Sequence, residues 1–232
     1  MKVLGIIPAR GGSKGVLRKN IRSIGGRPLL AYCAESALAA RLLDRVILST
    51  DDDEIADVGK DLGLDVPFMR PAELAGDSAP TLPVVSHAIK FLEDEGSFFD
   101  AVCLLQPTNP LRRPADIDLC IELLEKTGAD SVISVLPVPV EHNPAWTYRR
   151  KNDGTVELST GGFEPVPRRQ ELEPAFHRDG TIYVTRTSVI TELQSLYGTR
   201  IHAYEMDSRF SVNIDTQEDW DRAEALLAVN RI

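Results

Sequence analysis

Lys2-Val3-Leu4-Gly5-Ile6-Ile7-Pro8-Ala9-Arg10-Gly11-Gly12-Ser13-Lys14-Gly15 is a short apolar run stopped by proline, followed at once by a basic, glycine-rich loop. Val3, Leu4, Ile6 and Ile7 read as one buried strand, because an apolar run of this length bounded by a breaker is too short for a buried helix. Beyond the loop, Leu29 to Ala40 is apolar at helical spacing and rich in alanine, so the order is strand, loop, helix.

The same alternation repeats outward. Strands are predicted over Arg45 to Ser49, Val66 to Met69, Ala101 to Leu105 and Ser131 to Val138, with helices over Asp53 to Leu62, Thr81 to Glu95 and Ala115 to Lys126. Regularity weakens between about 138 and 175, where prolines and glycines crowd together. That stretch reads as an insertion, a flap or subunit contact with an irregular strand at Trp146 to Arg150. A strand at Gly180 to Thr185, a short helix around Ser188 to Leu193, a strand at Ile201 to Glu205 and a helix from Thr216 to Val229 close the chain. Strands alternating with helices predict an α/β architecture, a mostly parallel sheet with helices on both faces, in a single domain spanning 1–232.

Charge is unevenly spread. Lys and Arg number 26 against 35 Asp and Glu, a net charge of −9, which argues against a nucleic-acid or anionic-membrane surface. Yet from Met1 to Ala34 there are seven basic residues and no acid, six of the seven between Arg10 and Arg27. Any polyanion is therefore met locally. At 43% hydrophobic and 26% charged, the composition excludes disordered, collagenous and disulfide-scaffold classes. No apolar stretch approaches the roughly 20 residues that span a bilayer, and none reads as a secretory leader. Cys33, Cys103 and Cys120 are an odd number without C-x-x-C spacing, so buried reduced thiols and a cytoplasmic location are expected.

The loop Arg10-Gly-Gly-Ser-Lys-Gly15 is neither a Walker A sequence nor G-x-G-x-x-G. It still offers what a triphosphate needs: turn amides at Gly11 and Gly12, the Ser13 hydroxyl, and cations from Arg10, Lys14 and Lys19 at the carboxyl end of the first strand. The four histidines are scattered, which gives no support to a histidine metal site or a Ser-His-Asp arrangement.

Ile6-Ile-Pro-Ala-Arg-Gly-Gly-Ser-Lys-Gly15, with Arg18-Lys-Asn20 and Gly26-Arg-Pro-Leu29, resembles the N-terminal signature of the acylneuraminate cytidylyltransferases, the CMP-sialic acid synthetases. The likeness continues through Arg70-Pro-Ala-Glu-Leu-Ala75 and Asp77, Leu105-Gln-Pro-Thr-Asn-Pro-Leu-Arg112, Arg178-Asp-Gly-Thr-Ile-Tyr183 and Asn213-Ile-Asp-Thr-Gln-Glu-Asp-Trp220, in family order over nearly the whole chain. The resemblance implies a Rossmann-like nucleotidyltransferase and a homodimer built through the insertion. It implies attack of an acidic acceptor's oxygen on the α-phosphorus of CTP, with release of pyrophosphate. It also implies that Ala9 and Arg10 line the cytosine pocket, that Asn20 and Arg70 contact the nucleotide, and that Thr81 approaches the ribose. Without the family, Arg70 is equally a helix cap or a partner of Glu73.

Mg²⁺ is the implied cofactor, and Asp215 its leading ligand; a carboxylate capping the last helix is the plainer alternative. The family's Asp-Ile-Asp here begins with Asn213, which removes one carboxylate. Asp179 stands where the family usually has asparagine, so an exchanged acid and amide pair is the expectation: Asp179 restores the second metal carboxylate or reads an acceptor group. Gln106, at the end of a strand, and Tyr183 are expected against the acceptor. Arg168 and Arg169 are candidates for its carboxylate, or else a surface patch, and His177 is a further contact.

Three readings follow: a CMP-sugar synthetase for a sialic or related nonulosonic acid; the same chemistry on 3-deoxy-manno-octulosonate or a small phosphonate; and a non-catalytic nucleotide-binding module. A pocket short of polar side chains beyond the acceptor carboxylate favours a small acid over a nine-carbon sugar.

Overall fold

Strand β1 (Val3–Pro8) lies inside a six-stranded sheet because its side chains alternate between two apolar layers. Val3 and Ile7 join one core cluster, whereas Leu4 and Ile6 join the other. The computed structural model describes residues 1–76 and 79–230; Asp77, part of one family block, lies outside the described residues. After β1 come the two-residue ribbon β2 (Ser23–Ile24) and β3 (Arg27–Pro28), α1 (Leu29–Leu38), β4 (Arg45–Ser49), α2 (Asp53–Asp61), α3 (Thr81–Asp94), β5 (Ala101–Leu105), α4 (Pro114–Thr127) and β6 (Ser131–Pro137). The insertion contributes β7 (Tyr148–Arg150) and β8 (Val156–Leu158). Then follow β9 (Phe176–Arg186), α5 (Thr187–Glu192), β10 (Ile201–Glu205) and α6 (Gln217–Asn230).

The strand order is β10-β6-β9-β5-β1-β4, with every neighbour pair parallel except those made by β9, which runs antiparallel to both β5 and β6. Helices α1, α2 and α4 cover one face through Leu30, Cys33, Ile55, Ile117 and Leu124, and α3 and α5 cover the other through Val85, Leu92 and Ile190. Pro114 in the first turn of α4 and Gly128 after it, at φ 63°, mark its two ends. A third cluster packs Val16, Ile24, Leu29 and Tyr32 against Ile214, Trp220 and Leu227. This cluster draws the start of α6 over the basic loop.

Three elements differ from expectation. Val66 to Met69 is not a strand: only isolated parallel bridges, Ile47 with Asp65 and Thr50 with Met69, join it to β4, since Pro67 between them has no N–H to donate. Pro144–Trp146 is a 3₁₀ turn, which leaves Tyr148–Arg150 as the strand. The strand expected at Gly180 extends back to Phe176 through a register shift opposite Ile133 and Val135, where Gly180 takes a φ of 83° that side chains avoid.

Candidate active site

The basic loop is stitched down on two sides. On one, the Gly11 amide donates to Asp51 Oδ1 (3.2 Å) and Arg18 Nη1 to Asp52 Oδ2 (2.6 Å). Asp52 also caps α2 by accepting from the Ile55 amide at 3.0 Å. Burial works against its carboxylate, but the Ile55 amide and Arg18 outweigh it and hold the pKa below the usual range. On the other side, Lys19 Nζ donates to the Ile214 carbonyl (2.6 Å) and meets Asp215 Oδ1 (3.2 Å). Gly15 passes so close to the Asp215 carbonyl that a Cβ there would lie 2.0 Å from its oxygen.

A cavity of about 390 Å³ opens over the carboxyl ends of β1 and β5. Arg10, Ser13, Lys14, Lys19, Asn20, Arg70, Thr81, Gln106 and Asp215 line it, so nine of the expected residues meet in one place. Asn20 is buried; its Nδ2 donates to the Arg10 carbonyl (3.0 Å), and its Oδ1 has no partner among the described residues. Arg70 is buried too, donating through Nε to Ser49 Oγ (3.1 Å) and through Nη2 to the Ser49 carbonyl. Burial pushes its pKa down, Asp51 opposes this, and the nearby Arg10 cation adds to it. Two neighbouring guanidiniums at one cavity are what a polyanion relieves.

A second cavity of about 350 Å³ shares Thr81, Gln106, Thr108 and Asp215 with the first. Tyr183, Asp179 and Asn213, three of the candidate residues, line it together with Arg178 and Tyr197. Burial raises the Tyr183 hydroxyl's pKa, so it stays a donor. A third cavity of about 580 Å³ adjoins through Arg178, Asp179 and Asn213; His177, Ser208, Ser211 and Arg222 face it, with Asp219.

Several expected residues stand elsewhere. Ala9 is buried in the core, its amide given to the Ser49 carbonyl at 3.0 Å, and its side chain is too enclosed to line a base pocket. Gly11 and Gly12 lie on the loop away from the cavity wall, Gly11 against Asp52. Arg168 bonds to Glu171 at 2.7 Å within the insertion, and Arg169 lines a separate groove beneath it, so neither reaches these cavities in one chain. The three cysteines are buried and unbridged, and burial pushes the Cys103 thiol up to about 12.

A family profile described as cytidylyltransferase matches residues 4–229. The chain belongs to the cytidylyltransferase family. It is similar to the CMP-N,N′-diacetyllegionaminic acid synthase of Legionella pneumophila, 33% identical over 232 residues, which cover 100% of this chain and 98% of that protein. It is also similar to a pseudaminic acid cytidylyltransferase of Campylobacter jejuni, 31% identical across 99% of this chain and 98% of that one. Among solved structures, CMP:2-keto-3-deoxy-manno-octonic acid synthetase complexed with CTP shares the fold, with a TM-score of 0.75 at 19% identity over 99% of this chain and 100% of that one. The resemblance read from the loop motifs and the Rossmann-like nucleotidyltransferase fold are thereby borne out.

Within this cytidylyltransferase, Asp179 is a brace. Its Oδ1 accepts from Ser134 Oγ and from the Thr181 amide (3.0 Å), and its Oδ2 from Ser211 Oγ (3.2 Å), at 7% exposure. These bonds tie β6, β9 and the segment before α6 into one cavity wall. Asp179→Ala is expected to cost about 2 kcal/mol, a fall of roughly 4–8 °C in Tm by calorimetry, since three donors lose their acceptor. Asp179→Asn, which keeps one oxygen for Oδ1's two donors, is expected to melt near wild type.

Among the described residues no three His, Cys, Asp or Glu side chains gather into a metal cage. The cleft offers Asp215, its Oδ2 accepting from Asn213 Nδ2 at 2.6 Å. One carboxylate beside a basic, glycine-rich loop fits Mg²⁺, which takes one or two carboxylates and completes its shell with phosphate oxygens and water.

Proposed function

We propose that the protein transfers CMP from CTP to an acidic 2-keto sugar, a sialic-type or related nonulosonic acid. One observation carries this reading: the loop cavity and the second cavity share Thr81, Gln106, Thr108 and Asp215. A triphosphate on one side therefore faces an acceptor on the other. The acceptor hydroxyl attacks the α-phosphorus as the bond to the pyrophosphate breaks. Arg10, Lys14, Lys19 and the Ser13 hydroxyl meet the phosphates, and Gln106 and Tyr183 orient the acceptor. Asp215 would hold Mg²⁺, which supplies further charge neutralisation on the phosphates.

The third cavity continues past Asp179 with His177, Ser208, Ser211 and Arg222. These hydrogen-bonding groups, set among Leu136, Pro137, Pro139 and Val212, favour a large sugar acid carrying both hydroxyl and acyl groups over a small phosphonate. A non-catalytic nucleotide-binding role would use the cations of the loop but would leave the second and third cavities, which continue from it, without a purpose. In the presence of Mg²⁺, pyrophosphate release is expected with CTP and not with UTP, ATP or GTP, and to stop when EDTA removes the metal. Equal release with ATP would overturn the assignment.

The reading extends to the assembly. Tyr148, Val156, Phe163 and Phe176 are exposed on or beside the insertion ribbon, and this apolar set suits a homodimer contact. Phe163→Ser with Tyr148→Ser is expected to halve the mass seen by sedimentation. No helix among the described residues is long and apolar enough to cross a membrane. Use of CTP together with buried, unbridged thiols fits a cytoplasmic enzyme acting within one domain.

A further inference from the structure

Arg178 occupies a singular position. It stands where the second and third cavities meet, on the exposed half of β9 immediately before the Asp179 brace. Its Nη1 donates to the Tyr197 hydroxyl at 3.1 Å, and the Tyr183 oxygen is its other close polar neighbour. The Tyr183 and Tyr197 rings stand edge to face, 6.2 Å between centroids. Among the described residues no carboxylate pairs with it: the adjacent Asp179 turns inward to Ser134 and Ser211. Gly180, next in sequence, leaves open space where a Cβ would project. A guanidinium held by neutral hydroxyls keeps its charge and donor capacity for a ligand, and its planar fork matches a carboxylate.

The two arginines that sequence favoured for this task are occupied or remote: Arg168 pairs with Glu171, and Arg169 lines the separate groove under the insertion. We infer that Arg178 is the residue that receives the acceptor's carboxylate, across the waist between the second and third cavities. This assignment rests on the transfer reading above and states how that site selects an acid.

The test uses the full chain with N,N′-diacetyllegionaminic, pseudaminic and N-acetylneuraminic acids, and the methyl ester of whichever acid wild type turns over. Arg178→Met is expected to raise the acceptor KM by roughly tenfold to a hundredfold, with CTP affinity by calorimetry unchanged, and Arg178→Lys to recover part of the loss. The methyl ester should react equally poorly with wild type and Arg178→Met, because the variant then removes nothing the ester uses. Wild-type turnover with an unchanged Arg178→Met KM would overturn this assignment alone, as would a KM raised by Arg168→Ala or Arg169→Ala in its place. Failure of wild type on every acid, with CTP still bound, would overturn the transfer reading and this assignment with it.

Discussion

Asp215→Ala is expected to lower kcat by roughly 10³-fold while changing CTP affinity only a few-fold. Asp215 is the carboxylate that lines both the loop cavity and the second cavity, so in the proposed transfer it stands where phosphate charge and attacking oxygen meet. Its removal also frees Lys19, whose Nζ otherwise lies between the Ile214 carbonyl and Asp215 Oδ1. Single-turnover measurement separates the two effects. Lost Mg²⁺ binding appears as a higher metal requirement, and a displaced Lys19 as weaker triphosphate binding. Turnover near wild type in Asp215→Ala would place the metal elsewhere in the cleft.

Gly15→Ala is the second large effect, and its cause is steric. The added Cβ would lie 2.0 Å from the Asp215 carbonyl oxygen and 3.2 Å from its carbon, both backbone atoms, so the loop and the segment before α6 must move apart. Overpacking of this kind costs about 1–3 kcal/mol. The separation also moves Lys19 and Asp215 against the proposed phosphate site, where a displacement of about 1 Å costs on the order of 10²-fold in rate. Gly12→Ala is the control, because a Cβ there meets nothing within 4 Å. Thermal melting and kcat are expected to fall together in Gly15→Ala and to stay near wild type in Gly12→Ala. Parallel behaviour of the two variants would contradict the close approach.

The inner parallel strands were legible because each is a short apolar run buried on both faces, as at Val3–Pro8 and Ala101–Leu105, whereas the parallel edge strand β10 is mostly exposed. Strand β9 was only half legible: His177, Arg178 and Asp179 look like loop, and Gly180 hides the continuation that pairing with β6 supplies. The basic lining of the loop cavity was readable since Arg10, Lys14 and Lys19 sit within one short stretch. Its docking onto Ile214 and Asp215 was not, because that contact joins residues 195 and 196 positions apart. Tyr197 gave no signal either, for it follows α5 in a segment without periodicity and reaches Arg178 only in the fold. Arg168 and Arg169, adjacent charges that look like a carboxylate clamp in the sequence, lie apart from the cavities within one chain, and Glu171, one turn on, is the partner of the first.

Incubation with CTP, Mg²⁺ and either N,N′-diacetyllegionaminic or pseudaminic acid, followed by phosphorus NMR and mass spectrometry, measures the transfer itself. A CMP conjugate with a single phosphodiester, formed in step with pyrophosphate, is the expected product. Pyrophosphate with free CMP and an unaltered sugar acid would instead mean hydrolysis, and would contradict a cleft built to place an acidic acceptor on the α-phosphorus.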